Sequence, residues 1–154
     1  MIESRTTATN KDVDWLLDRL VEQVVGTRCA VVLSDDGLVI SRSGGIERAD
    51  AERLAAIATS QQSLARGAGA IFGGGPVRQV IVELSRVWLF VSSAGRGTHL
   101  AVVADLEVDA EVMAVAMHTL VQQVGQHLGT EARLGAAGEG EVGVGEPLER
   151  RTVR

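Results

Sequence analysis

Apolar residues recur at spacings of three and one from Val13 onward, through Leu16, Leu17, Leu20, Val21, Val24 and Val25. That pattern predicts an amphipathic helix with one apolar stripe. Asp12 and Asp14 sit near its expected start, where carboxylates suit the helix dipole, and Gly26 is a natural stop. The polar residues 1–11 ahead of it read as a flexible lead. The pattern then changes. Cys29–Leu33 is apolar without helical periodicity, Ser34-Asp35-Asp36-Gly37 follows, and Leu38–Ser41 is again largely β-branched or aliphatic. Asp-Gly between two such runs predicts a hairpin, because glycine accepts the positive φ that the turn needs.

Residues 49–66 return to helical spacing. Ala51, Leu54, Ala55, Ala58 and Ala65 can face a core, while Ile57, Gln61, Leu64 and Ala68 form a neighbouring stripe. A helix apolar on more than one side covers more than one partner, and its alanines permit close approach. Gly67-Ala68-Gly69-Ala70 and Gly73-Gly74-Gly75-Pro76 bracket Ile71-Phe72 and read as a flexible connection. Three strands are expected next, at Val77–Leu84, Arg86–Ser93 and Thr98–Ala104. Their short joints suit antiparallel neighbours, since a parallel crossover needs about a dozen residues. A last helix begins around Asp105–Asp109, with Asp105 as a candidate cap, and Gly129 is its expected end. The Gly- and Glu-rich residues 131–154 read as a disordered tail.

The order α-β-β-α-β-β-β-α predicts one α/β domain of the α+β type over residues 12–130. It is a five-stranded, mostly antiparallel sheet with the first and last helices on one face and the middle helix on the other. The chain's 154 residues suffice for one core. A net charge of −5 disfavours non-specific binding to nucleic acid or an anionic membrane. No uninterrupted apolar run is long enough to span a bilayer, and the polar start does not resemble a signal peptide, so a cytoplasmic setting without direct membrane insertion is expected.

Candidate chemistry is thin. The lone Cys29 lies in an apolar strand and reads as a buried thiol. Gly73-Gly74-Gly75 is followed by Pro-Val-Arg and a strand, not by the Gly-Lys-Ser/Thr and helix of a phosphate loop. His118 and His127 are nine positions apart, about 13 Å along a helix, too far to share a zinc ion, and His99 is distant in sequence. Asp14 and Asp18 read as a solvated helix face, Asp35 and Asp36 as turn residues. Trp88 reads as core or interface packing. No catalytic, cofactor or metal residues are assigned, no cofactor is expected, and the chain is not read as an enzyme.

Several segments together resemble the Roadblock family of dynein light-chain-like proteins. These are Asp14–Val21 on the first helix, Val31–Ile40 at the hairpin, Ala49–Ala58 on the middle helix, Gln79–Glu83 and Leu89–Val91 on later strands, and Leu100–Ala104 on the last. The match is similar especially to Roadblock members of actinobacterial conservon operons, which also encode a small Ras-like GTPase and a sensor-kinase-like protein. The resemblance implies a profilin-like sandwich that forms homodimers through the middle helix and the following edge strand. The implied dimer or partner surface is Arg53, Ile57, Ser60, Gln61, Leu64, Ala68, Arg78 and Val80. It further implies a non-enzymatic regulator or scaffold for a small Ras-like GTPase, with a sensor-kinase-like protein as another partner. Stimulation of that GTPase's hydrolysis and recruitment to a membrane through partners stay open. The alternative is a small-ligand or kinase-associated sensory domain, which would need polar residues converging on the core side of Val80, Trp88 and Val102.

Overall fold

The computed structural model describes residues 3–136. Its elements are α1 (Glu3–Gln23), β1 (Thr27–Ser34), β2 (Val39–Arg42), α2 (Arg48–Phe72), β3 (Gln79–Glu83), β4 (Val87–Gly95), β5 (Thr98–Asp105) and α3 (Ala110–Ala136). The element order is the expected one. The sheet runs β2-β1-β5-β4-β3, and every neighbouring pair is antiparallel.

The apolar runs in β1 and β5 lack alternation because both faces of these central strands are covered. Ala30, Val32, Leu100 and Val102 meet α1 and α3, where Leu17, Leu20, Met113, Met117 and Val124 complete one core. Cys29, Val31, Leu33 and Ala101 point the other way and meet Ala51, Leu54, Ala55 and Ala58 of α2. The α2 side is thin because three of those four helix residues are alanines. Trp88 is half-buried and stacks on Phe90 with ring centroids 5.9 Å apart, inside the first core. The Asp-Gly hairpin forms as expected, with Gly37 at φ +80°.

Helix ends depart from the sequence reading. The periodicity places the start of α1 at Val13, but the helix begins at Glu3, so the expected flexible lead is helical from residue 3. Extending a nucleated helix costs little, so the apolar stripe marks where it packs, not where it starts. Asp14 is accordingly mid-helix, and the dipole rationale for it does not apply. In α2 the glycines at 67 and 69 lie inside the helix, which ends only at Gly73 in the left-handed conformation. Gly69 is where the chain returns: the Gly74 N–H donates to the Gly69 carbonyl at 2.8 Å, and a Cβ on Gly69 would stand 2.7 Å from the Gly75 oxygen. α3 likewise passes Gly129, whose missing side chain makes room for the Arg96 guanidinium. Its first turn is capped by Asp109, whose Oδ1 accepts from the Glu111 and Val112 N–H groups at 2.9 and 3.1 Å. Asp105 does not cap it and instead pairs with Arg28 at 2.6 Å. Residues 137–154 of the expected tail lie outside the described residues.

Candidate protein interface

The sheet has two edges, and the molecule treats them differently. At β2, α1 lies alongside the strand. Asp14 accepts hydrogen bonds from the Ser41 hydroxyl and, at 3.2 Å, from the Arg42 N–H. One turn later, Asp18 accepts from the Gly44 N–H at 2.7 Å. The two carboxylates are therefore not a solvated face: both are half-buried and occupy donors that an incoming strand would need. At β3, among the described residues, only β4 is paired and no strand covers the other side.

Beside that open edge runs the outer face of α2. Ile57, Gln61, Leu64, Ala68 and Ile71 follow spacings of four and three, the seam of a helix that packs on another helix. Ile57 is 50% exposed, Leu64 71%, Ile71 77% and Phe72 83%. The last fully buried residue of α2 is Gln62; from Ser63 to Phe72 the helix is exposed except at Ala65 and Gly69, which are half-buried. Leu84, just after β3, is exposed as well; Ile81 is also exposed, but it alternates with the α2-facing Val80 and Val82 and sits opposite Phe90, so it lies on the α1–α3 face of the sheet.

The sequence-predicted surface residues divide accordingly. Ile57, Gln61, Leu64 and Ala68 share the seam. Arg53 and Ser60 flank it: Arg53 pairs with Asp50 at 3.0 Å, and the Ser60 hydroxyl donates to the Ala56 carbonyl at 2.9 Å. Arg78 is exposed on the approach to β3. Val80 is not on this surface, since it is half-buried and packs inward against the α2-side core. Ile71 and Phe72 were missed. Reading the Gly67–Ala70 stretch as a helix breaker hid both, although Ile71 stands seven residues past Leu64 and Phe72 eight.

The remaining chemistry is dispersed. Cys29 is buried as expected, and that burial pushes its thiol pKa up, against a hydrogen bond from the Val103 backbone and the charge of Arg28, which lower it, and Asp50, which adds to the rise. The His127 Nδ1 donates to the Gln123 carbonyl at 2.9 Å, and His118 bonds Gln122 at 3.0 Å. Val80 faces α2 whereas Trp88 and Val102 face α1 and α3, so these three residues do not frame one pocket. No helix among the described residues is long and apolar enough to cross a membrane.

A single five-stranded antiparallel sheet with helices packed on both faces defines an α/β sandwich domain. Comparison with known proteins gives its family. The Roadblock/LC7 domain model matches residues 13–104, and the chain belongs to that family. A Roadblock/LC7 domain of Streptomyces avermitilis is 50% identical, with 75% of this chain and 96% of that one covered at a TM-score of 0.72. A second from the same organism is 40% identical, covering 71% and 95% at a TM-score of 0.60. MglB of Myxococcus xanthus covers 78% and 90% at a TM-score of 0.71, but at 15% identity the likeness is one of fold. No curated protein matches the chain.

Proposed function

We propose that this domain is a non-enzymatic, dimeric regulator or scaffold that binds a small Ras-like GTPase in a bacterial signalling complex. The observation that carries the reading is the continuous surface formed by the exposed α2 seam and the open β3 edge. A two-fold pair would bury both copies of Ile57, Leu64 and Ile71 at once and join two sheets through β3. The part of α2 beyond Gln62 strengthens the case. Its Leu64, Ile71 and Phe72 are exposed, and a partner helix is the natural cover for them.

The partner's class rests on family membership and on the resemblance to conservon Roadblock proteins. The fold resemblance to MglB is consistent with it. A protein of this kind works by presenting surface, in a cytoplasmic setting, and any effect on GTP hydrolysis is exerted on the partner's own active site.

Light scattering on the full chain at micromolar concentration should give the mass of two copies. Leu64→Asp places a charge at the centre of the seam and should raise the dimer dissociation constant by at least about tenfold. A monomer for the unaltered chain, or a dimer indifferent to Leu64→Asp, rules the surface out. Co-purification with the GTPase encoded alongside it, loaded with GDP and separately with GTP, tests the partner; failure to bind either form rejects it while leaving the dimer standing.

A further inference from the structure

The α2 seam is apolar except at one place. Ile57, Leu64, Ala68 and Ile71 are aliphatic, and Gln61 carries the only amide among them. Its neighbours spend their polar groups within their own copy. The Thr59 and Ser60 hydroxyls donate to the Ala55 and Ala56 carbonyls at 2.9 Å, and the Gln62 amide reaches toward the Val91 carbonyl at 3.5 Å. No hydrogen bond among the described residues engages the Gln61 side chain. Helical spacing sets Gln61 beside the buried Ala58 and half-buried Ala65 on one side, and beside the exposed Ile57 and Leu64 on the other. It therefore stands at the inner border of the seam and is half-buried in the single copy. A helix laid along the seam shuts off its remaining water, and an amide buried without a partner is costly.

We propose that Gln61 is the specificity-determining residue of the seam: the amides of two copies hydrogen-bond to each other across the two-fold axis, and this pair selects a second copy of the chain. The inference rests on the dimer proposed above. A two-fold axis brings the same surface from each copy together, so the one polar position of the seam meets its own kind. An amide both donates and accepts, so two of them satisfy each other. If both α2 helices lie on one face of the joined sheet, the axis runs perpendicular to that sheet, and both amides stay on the inner side of the seam. The reach is sufficient. The seam from Ile57 to Ile71 is centred on Leu64, and Gln61 is three residues from that centre. Two such amides are offset by about 9 Å along the helices, a gap that two extended glutamine side chains span.

A partner with an aliphatic residue at that place leaves Gln61 buried and unpaired, a penalty that acts only against the wrong pair. A single polar residue in the seam of a coiled coil fixes partner and register in the same way, at some cost in stability. Such selection has a use, since Streptomyces avermitilis carries two Roadblock/LC7 domains similar to this chain.

The test mixes isotopically labelled unaltered chain with unlabelled Gln61→Leu in equal amounts. The mixture is held at micromolar concentration until its proportions stop changing, and the three dimers are counted by native mass spectrometry. Leucine is as good a helix former as glutamine, so the variant keeps its fold. Random pairing puts about half of all dimers in the mixed form, and one unpaired buried amide should bring that below about a quarter. Both like pairs escape the penalty, one through its amides and the other through its leucines. Ser60→Ala removes a hydroxyl that bonds only its own helix, and it should mix with the unaltered chain at random. Random mixing of Gln61→Leu overturns the amide pair and leaves the dimer standing. Equal depletion for Ser60→Ala also overturns it, because the effect then reports any disturbance near the seam. A chain that is monomeric at every concentration removes the dimer and the amide pair together.

Discussion

Asp14 and Asp18 show what a pair of carboxylates four residues apart can do when a strand runs beside the helix. One turn and a little more of helix advances about 6 Å, and two residues of strand advance about 6.8 Å. The two side chains therefore meet alternate outward donors, at Arg42 and Gly44. The spacing was legible in the sequence. Its purpose was not, because the partners stand 28 and 26 residues away, and nothing local distinguishes a carboxylate that meets a strand from one that meets water. Replacing Asp14 with Ala strips a charged acceptor from both the Ser41 hydroxyl and the Arg42 N–H. The expected loss is about 1–3 kcal/mol by chemical denaturation, larger than for Asp36→Ala in the exposed turn. Asp14→Asn keeps one acceptor oxygen and should fall between them. Equal stability for Asp14→Ala and Asp36→Ala would remove the edge-guarding role.

At the scale of elements, the order of helices and strands was readable because each apolar period announces its own geometry. The strands with both faces covered were readable too, as unbroken apolar runs. Helix ends were not. A glycine inside a helix costs about 1 kcal/mol relative to alanine, a penalty that packing or a seam along the helix can outweigh, so Gly67, Gly69 and Gly129 could not be told from stops by composition. The two α2 glycines differ in a way that can be measured. At Gly67 a Cβ would meet nothing within 4 Å, while at Gly69 it would stand 2.7 Å from the Gly75 backbone oxygen. Gly67→Ala should therefore gain up to about 1 kcal/mol of helix stability. Gly69→Ala should lose more than that gain, since a backbone carbonyl must move and the Gly74-to-Gly69 hydrogen bond with it. A thermal midpoint for Gly69→Ala at or above that of Gly67→Ala would show that the return over the helix is not a close contact.

For the whole molecule, the contrast between edges decides how it meets other chains. One edge is closed by α1, and the other lies open among the described residues, while α2 from Ser63 to Phe72 is largely exposed. If both features serve one dimer, stability must depend on concentration, because unfolding then separates the pair. A hundredfold rise in protein concentration should add about 2.7 kcal/mol per dimer, or roughly 4–5 °C in thermal midpoint for a pair of this size. Leu64→Asp should abolish that dependence, and backbone amides from Ser63 to Phe72 should then exchange with solvent quickly. Amide exchange separates the two halves of the surface. If the sheets join, the amides along β3 that face away from β4 are slow in the dimer and fast in Leu64→Asp. If only the helices pair, those β3 amides stay fast at every concentration while the thermal midpoint still rises, and the joined sheet is excluded. A midpoint that does not move across the hundredfold range excludes a second copy of this chain as the cover of the α2 seam.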